Sequence, residues 1–196
     1  MKLRKRIAIF GGSFNPVHVG HIALARSVVQ QHLADEVWLL VSPQNPLKQQ
    51  MGLLPEQQRL NLVRKALEHE HGVEVSDFEF HLPRPSYTWN TLQALSAAYP
   101  DVEFSLLIGA DNWLLFNRWA HPDDILANYR LLVYPREGCV VNEASLPIGV
   151  SLIEAPLFPL SSTDIRNLVR EGKSIHGFVP AVIEQDVQRL YAVDTL

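Results

Sequence analysis

The 196-residue sequence contains a single cysteine, Cys139, so no disulfide can form within the chain. That fits a reducing compartment. No apolar run approaches the roughly 20 residues needed to span a membrane. Basic residues are not in excess: 17 Lys and Arg stand against 21 Asp and Glu, a formal net charge of -4. Such a balance argues against a protein that coats nucleic acid or an anionic membrane surface. A local phosphate site stays open, because it needs only a few well-placed donors. Met1 to Arg6 has the basic character of a secretory leader, but the apolar run behind it, Ile7 to Phe10, ends at Gly11, which argues against secretion. The expected location is therefore cytoplasmic. Internal repeats, low-complexity tracts and linkers are also missing, and one domain over residues 1–196 is expected.

What is present is an alternation of short apolar runs with helical patterns. Ile7–Phe10, Val37–Val41, Phe104–Ile108, Leu131–Tyr134 and Ser151–Ala155 read as strands, and Val73–Leu82 as extended chain. Ile22, Ala25, Val29 and Leu33 recur at spacings of a helix face, as do Leu60, Val63 and Leu67 within Glu56–Glu70. Thr88–Ala98, Thr163–Glu171 and Pro180–Tyr191 complete the helices, while Gln44–Leu54 and Glu137–Ile148 read as loops. Continuous apolar strands are buried on both faces, and their alternation with helices implies parallel pairing through right-handed crossovers. The expected fold class is α/β, a doubly wound Rossmann-like domain with a mainly parallel sheet.

In that fold, ligands sit at the carboxyl ends of the strands, near the reversal of strand order. The stretch GGSFNPVHVGH, residues 11–21, falls at the end of the first strand. It matches neither the G-x-G-x-x-G fingerprint nor the G-x-x-x-x-G-K-[ST] loop. Gly11 and Gly12 are expected to turn the chain tightly and to let a ligand approach the amides. Gly20–His21 opens a helix whose free N–H groups favour phosphate. His18 and His21, three apart, share one side of a helical turn. The plainer alternative is a turn with two surface histidines, and a metal pair lacks a third ligand. His69 and His71 read as solvent residues on a helix.

Further candidates lie at other strand ends. Lys48 alone reads as a surface lysine. Asp111 suits either a ribose hydroxyl or a helix cap. Trp119 suits core packing or ring stacking. Ser161 to Arg166 places hydroxyls at a helix start and an arginine one turn later, an arrangement suited to polyphosphate or to a capped helix with an exposed arginine.

Taken together, these residues resemble a known family. His18-Val19-Gly20-His21 is similar to the HxGH signature of the nucleotidyltransferases, and Ser161-Ser162-Thr163-Asp164-Ile165-Arg166 to their SSTxIR signature. Ser86-Tyr87-Thr88 with Thr91-Leu92, and Gly109-Ala110-Asp111 leading to Trp119, resemble the bacterial nicotinate-nucleotide adenylyltransferases. The resemblance runs from Ile7 to about Ile183. Leu47 and the stretch Tyr134–Gly138 depart from the family pattern.

The resemblance implies adenylyl transfer from ATP to nicotinate mononucleotide, giving nicotinate adenine dinucleotide and pyrophosphate in NAD synthesis. It implies that His18, His21 and Arg166 are catalytic and touch the phosphates of ATP. Gly11, Gly12, Ser13, Phe14, Gly109, Asp111, Ser162 and Thr163 complete the ATP site. Ser13, Lys48 and Arg136 serve the acceptor, with Thr88 and Trp119 framing its ring. Mg2+ arrives with ATP rather than on a protein metal site. The partners expected are these small molecules, with no nucleic acid and no membrane, and oligomer formation stays open. Two alternatives remain at this level. One is a sister enzyme acting on nicotinamide mononucleotide or pantetheine phosphate. The other is a non-catalytic dinucleotide-binding protein.

Overall fold

The apolar run Ile7–Phe10 forms the middle of the central strand. In the computed structural model, which describes residues 4–43 and 52–192, β1 spans Lys5–Gly12. It is followed by β2 (Glu36–Val41), β3 (Val73–Ser76), β4 (Val102–Gly109), β5 (Arg130–Tyr134) and β6 (Val150–Leu152). All six pair in parallel, in the order β3-β2-β1-β4-β5-β6. The sheet is thus wholly parallel, in the strand order of the dinucleotide-binding folds. β1 sets Ile7 beside Glu36 of β2 on one edge and beside Phe104 of β4 on the other. The strand order reverses at this pair, so a crevice opens between the ends of β1 and β4.

Alternate residues of β1 enter different cores, which explains why its sequence shows no polar face. Ala8 and Phe10 pack with Ile22 of α1 (Val19–Gln30), Leu60 of α2 (Glu56–Ala66), Ile165 of α6 (Ser162–Arg170) and Ile183 of α7 (Ala181–Tyr191). Ile7 and Ile9 pack with Leu92 of α3 (Thr88–Ala98), Ala110 of α4 (Ala110–Leu114) and Ile125 of α5 (Pro122–Asn128). No helix among the described residues is long and apolar enough to cross a membrane.

Three readings of the sequence change. Val73–Leu82 is extended only as far as Ser76, after which Phe78–His81 forms a 3-10 turn. α4 and α5, of 5 and 7 residues, were not anticipated. They are too short to show a helical apolar face. His69 and His71 are exposed but lie beyond α2, which ends at Ala66.

Candidate active site

The glycines after β1 do not make the turn expected of them. Gly11 and Gly12 remain within the strand. The chain reverses instead at Phe14, whose φ is 44°, and at the cis Asn15–Pro16 bond. A Cβ at Gly11 would meet nothing within 4 Å, so its value is open space above the strand end. A Cβ at Gly12 would press on the Phe14 ring at 3.0 Å.

The reversed segment is strapped down by groups far away in sequence. Arg59, fully buried, donates to the carbonyls of Ser13, Ser42, Pro43 and Leu54. Arg166 donates to the Asn15 carbonyl at 2.7 Å and Ser162 Oγ to the Pro16 carbonyl at 2.9 Å. The Asn15 amide gives a proton to the Gly52 carbonyl and accepts from Leu54 N–H and the Tyr191 hydroxyl. Buried carbonyls left without donors are costly, so this strap is held wherever its own ladder stops. Its last residue is His18.

His18 caps α1, and its buried ring lies stacked between His21, with centroids 3.6 Å apart, and Phe158, at 5.2 Å. The Phe158 ring occupies the space beside Gly20, where a Cβ would fall 2.6 Å from it. That is the physical reason for glycine between the two histidines. His18 N–H donates to His21 Nδ1 at 3.2 Å, which assigns the His21 ring proton to Nε2. Burial, aided by the nearby Arg136 charge, pushes the His18 pKa down to about 4, so its ring is neutral at pH 7. His18 Nδ1 is buried without a hydrogen bond.

Two cavities meet at this point, sharing Phe10 and Tyr134 as a common wall. The first, about 320 Å³, is lined by His18, His21, Asp111, Arg136, Phe158 and the start of α6. Asp111 does not cap α4, whose N-cap is Gly109. Its Oδ1 faces Arg136 Nε at 3.5 Å, too loosely for a hydrogen bond. Ser161 and Asp164 cap α6 reciprocally, with Asp164 Oδ2 accepting from Ser161 N–H at 2.8 Å. Thr163 Oγ1 accepts from Arg166. Arg166 is half-buried rather than exposed, and burial lowers its pKa.

The second cavity, about 200 Å³, is lined by Gly11, Gly12, Thr88, Gly109, Arg118 and Trp119, among others. Trp119 leans on Phe116 with centroids 5.2 Å apart, and its Nε1 is buried without a partner. A Cβ at Gly109 would fall 2.3 Å from Asp111 Oδ1. Tyr134, between the cavities, has its hydroxyl pKa raised to about 12 by burial, so it stays protonated. Glu79 also lines this cavity; neither it nor Arg59 stands out in the sequence, because charged residues in amphipathic patterns read as solvated.

The structure therefore gathers most of the predicted residues but sorts them differently. His18, His21 and Asp111 share the first cavity, and Arg136, expected at the acceptor, joins them. Gly11, Gly12 and Gly109, expected at ATP, line the second cavity beside Thr88 and Trp119. Ser13, Phe14, Ser162, Thr163 and Arg166 line neither. Phe14 is buried, edge-on to the His21 ring at 5.1 Å, and Arg166 and Ser162 grip the strap. Lys48 lies outside the described residues. Among the described residues, no three His, Cys, Asp or Glu side chains converge to hold a metal.

Residues 9–168 match the family model described as cytidylyltransferase-like. The chain is 46% identical over 193 residues to the probable nicotinate-nucleotide adenylyltransferase of Bacteroides fragilis, covering 98% of this chain and 96% of the relative. It is 49% identical over 174 residues to its counterpart of the same name in Bacteroides thetaiotaomicron, covering 89% and 86%. The solved Plasmodium falciparum nicotinic acid mononucleotide adenylyltransferase complexed with NaAD shares the fold, with a TM-score of 0.79 at 19% identity over 95% of this chain and 97% of that one. With its strand order, its paired histidines beside a helix start and these relatives, the chain belongs to the cytidylyltransferase-like family and, within it, to the nicotinate-nucleotide adenylyltransferases.

Proposed function

We propose that this protein transfers the adenylyl group of ATP to nicotinate mononucleotide, releasing pyrophosphate. The observation that carries the reading is the pair of adjoining cavities at the switch point. One is lined by the His18 and His21 imidazoles and the Arg136 guanidinium, with Asp111, Glu137 and Asp164 also on its wall, the other by Trp119 and Thr88. The first suits the phosphates of ATP and the second suits a flat ring.

The reaction joins two phosphates. An oxygen of the acceptor phosphate bonds to the α-phosphorus of ATP as the bond to the β-phosphate breaks, and pyrophosphate leaves. The nucleophile is already an anion, so a strong base is unnecessary. Rate comes from holding the two groups in line and neutralising charge as it grows. In our reading, His21 donates from Nε2 to the α-phosphate. Neutral His18 supports it through the ring stack and serves the neighbouring phosphates. Arg136 supplies positive charge in the same cavity, beside the N-terminus of α6. Arg166 and Ser162 hold the strap that carries His18, and the signature around Arg166 supports a role for it toward the β- and γ-phosphates. Gly11, Gly12 and Gly109 leave room for substrate at the junction of the cavities. Thr88 and Trp119 frame the pyridine ring, and Lys48 and Ser13 serve the acceptor phosphate. Mg2+ would arrive with ATP, held by its phosphates and water.

The test is pyrophosphate release from ATP with nicotinate mononucleotide, nicotinamide mononucleotide or pantetheine phosphate in turn. Release with the first at rates well above the others supports the reading. Release only with pantetheine phosphate, or none with any acceptor, overturns it.

A further inference from the structure

Glu79 is a buried carboxylate in the ring-side cavity, and the phosphate chemistry gives it no task. Its residue is only 7% exposed, yet it lines the cavity together with Trp119 and Thr88. Among the described residues, no basic side chain pairs with it. Thr91 Oγ1 donates to its Oε1 at 3.0 Å. Burial raises its pKa, and the hydroxyls of Ser42, Thr91 and Ser86 pull the other way. Of these, Ser86 Oγ makes no hydrogen bond of ordinary geometry, so its pull is the weakest.

Burying an anion without a counter-charge is costly, unless a cation meets it. The cavity offers two groups that favour a cation. One is the Glu79 carboxylate; the other is the indole of Trp119, whose face attracts positive charge. Among the described residues, the only other formally charged side chain of the wall, Arg118, is exposed at the surface. A flat cationic ring satisfies both groups, whereas a neutral ring satisfies only the indole. The ring nitrogen of a pyridine mononucleotide is such a cationic centre, because it is bonded to the ribose. The nicotinate form carries a ring carboxylate as well, so the charge to be read is that of the nitrogen alone.

We infer that Glu79 is a specificity-determining residue, whose carboxylate recognises the positive charge of a pyridinium ring held in this cavity. The inference rests on the acceptor assignment proposed above. It names the feature of the ring that is read, and the side chain that reads it. Thr91 then serves as a positioning residue, fixing the carboxylate from α3.

The experiment compares two ligands that differ in ring charge. Nicotinate mononucleotide carries the pyridinium, and its 1,4-dihydro form keeps the carboxylate, ribose and phosphate with a neutral ring nitrogen. Calorimetric binding to the full chain should show the pyridinium form favoured by about tenfold or more. Glu79→Gln, which keeps the acceptor oxygen for Thr91, should weaken the pyridinium form and leave the dihydro form within about twofold, so the preference collapses. Glu79→Asp keeps the charge but withdraws it, and should give an intermediate preference. A wild-type protein that binds both forms alike overturns the inference. So does a Glu79→Gln variant that weakens both forms equally, the mark of a purely structural role, and that result leaves the acceptor assignment standing. Failure of nicotinate mononucleotide itself to bind overturns the acceptor assignment as well. Should Glu79→Gln lose its melting transition, Glu79→Asp decides, and an undiminished preference there sinks the inference.

Discussion

The two cavities at the switch point share a wall but are built on different plans. The phosphate-side cavity depends on a strap, residues 13–18, whose carbonyls have left the sheet and are held by Arg59, Arg166 and Ser162. The ring-side cavity is an extension of the core, walled by strand residues such as Ile9, Leu40 and Leu106 and by Leu92 of α3. The first presents imidazole and guanidinium donors suited to anions. The second presents apolar surface with one buried carboxylate. The difference teaches that the first cavity is set by hydrogen-bond placement, and the second by packing that the core already provides.

Mutations that separate the cavities by substrate sharpen this comparison. The largest effect is expected at His21. His21→Ala should lower turnover about 100-fold or more in a folded protein, because a donor aimed at developing charge is worth roughly 3 kcal/mol. Affinity for the mononucleotide should barely change. Near-wild-type turnover in a folded variant would remove the phosphate role from this cavity.

The buried state of His18 predicts a pH dependence of stability. Its folded pKa of about 4 lies below the ordinary 6.5, so the unfolded chain takes up the proton first. The His18 contribution is complete above about pH 6.5 and is lost as the pH falls toward 4, about 3 kcal/mol in all. Melting curves from pH 7 to 4 should therefore fall more steeply for the wild type than for His18→Gln. Parallel curves would mean that His18 is not buried as described.

On the ring side, Trp119→Ala should raise the Michaelis constant for the mononucleotide about tenfold, from lost stacking and apolar contact. The constant for ATP should move little. Equal losses for both substrates, with a lowered melting temperature, would make Trp119 a core residue and blur the distinction between the cavities.

The smallest effect tests the strap. Tyr191→Phe removes the hydroxyl that donates to Asn15 Oδ1 at 2.7 Å. It should cost about 1 kcal/mol of stability and reduce turnover more than mononucleotide affinity. A variant with unchanged stability would show that Asn15 is held well enough by Gly52 and Leu54 alone.

The strands, the long helices and the position of the site were legible in the sequence because they rest on short-range pattern. Ile7–Phe10 is apolar without alternation because both faces of β1 are covered, and the histidines at 18 and 21 are one helical turn apart wherever α1 is placed. Gly20 was legible as a helix opener, but its reason, the Phe158 ring, comes from a segment 138 residues later and has no local trace. The same holds for Arg59. It stands three and four residues before the buried Leu62 and Val63, on the same helix face, but nothing local says that its charge finds four carbonyls there.

By itself, then, the sequence determined the α/β class, the parallel pairing and the signatures at residues 18–21 and 161–166, since periodicity and local spacing follow from backbone geometry. The tertiary structure alone decided that the turn falls at Phe14 rather than at the glycines, and that Arg136 joins the histidines. It also decided that Ser162 and Arg166 brace a strap, and that Glu79 ends in the ring-side cavity. Each of these depends on which distant chain segment supplies the hydrogen bond or the van der Waals neighbour. That pairing is settled only when the whole sheet and its two layers of helices have closed.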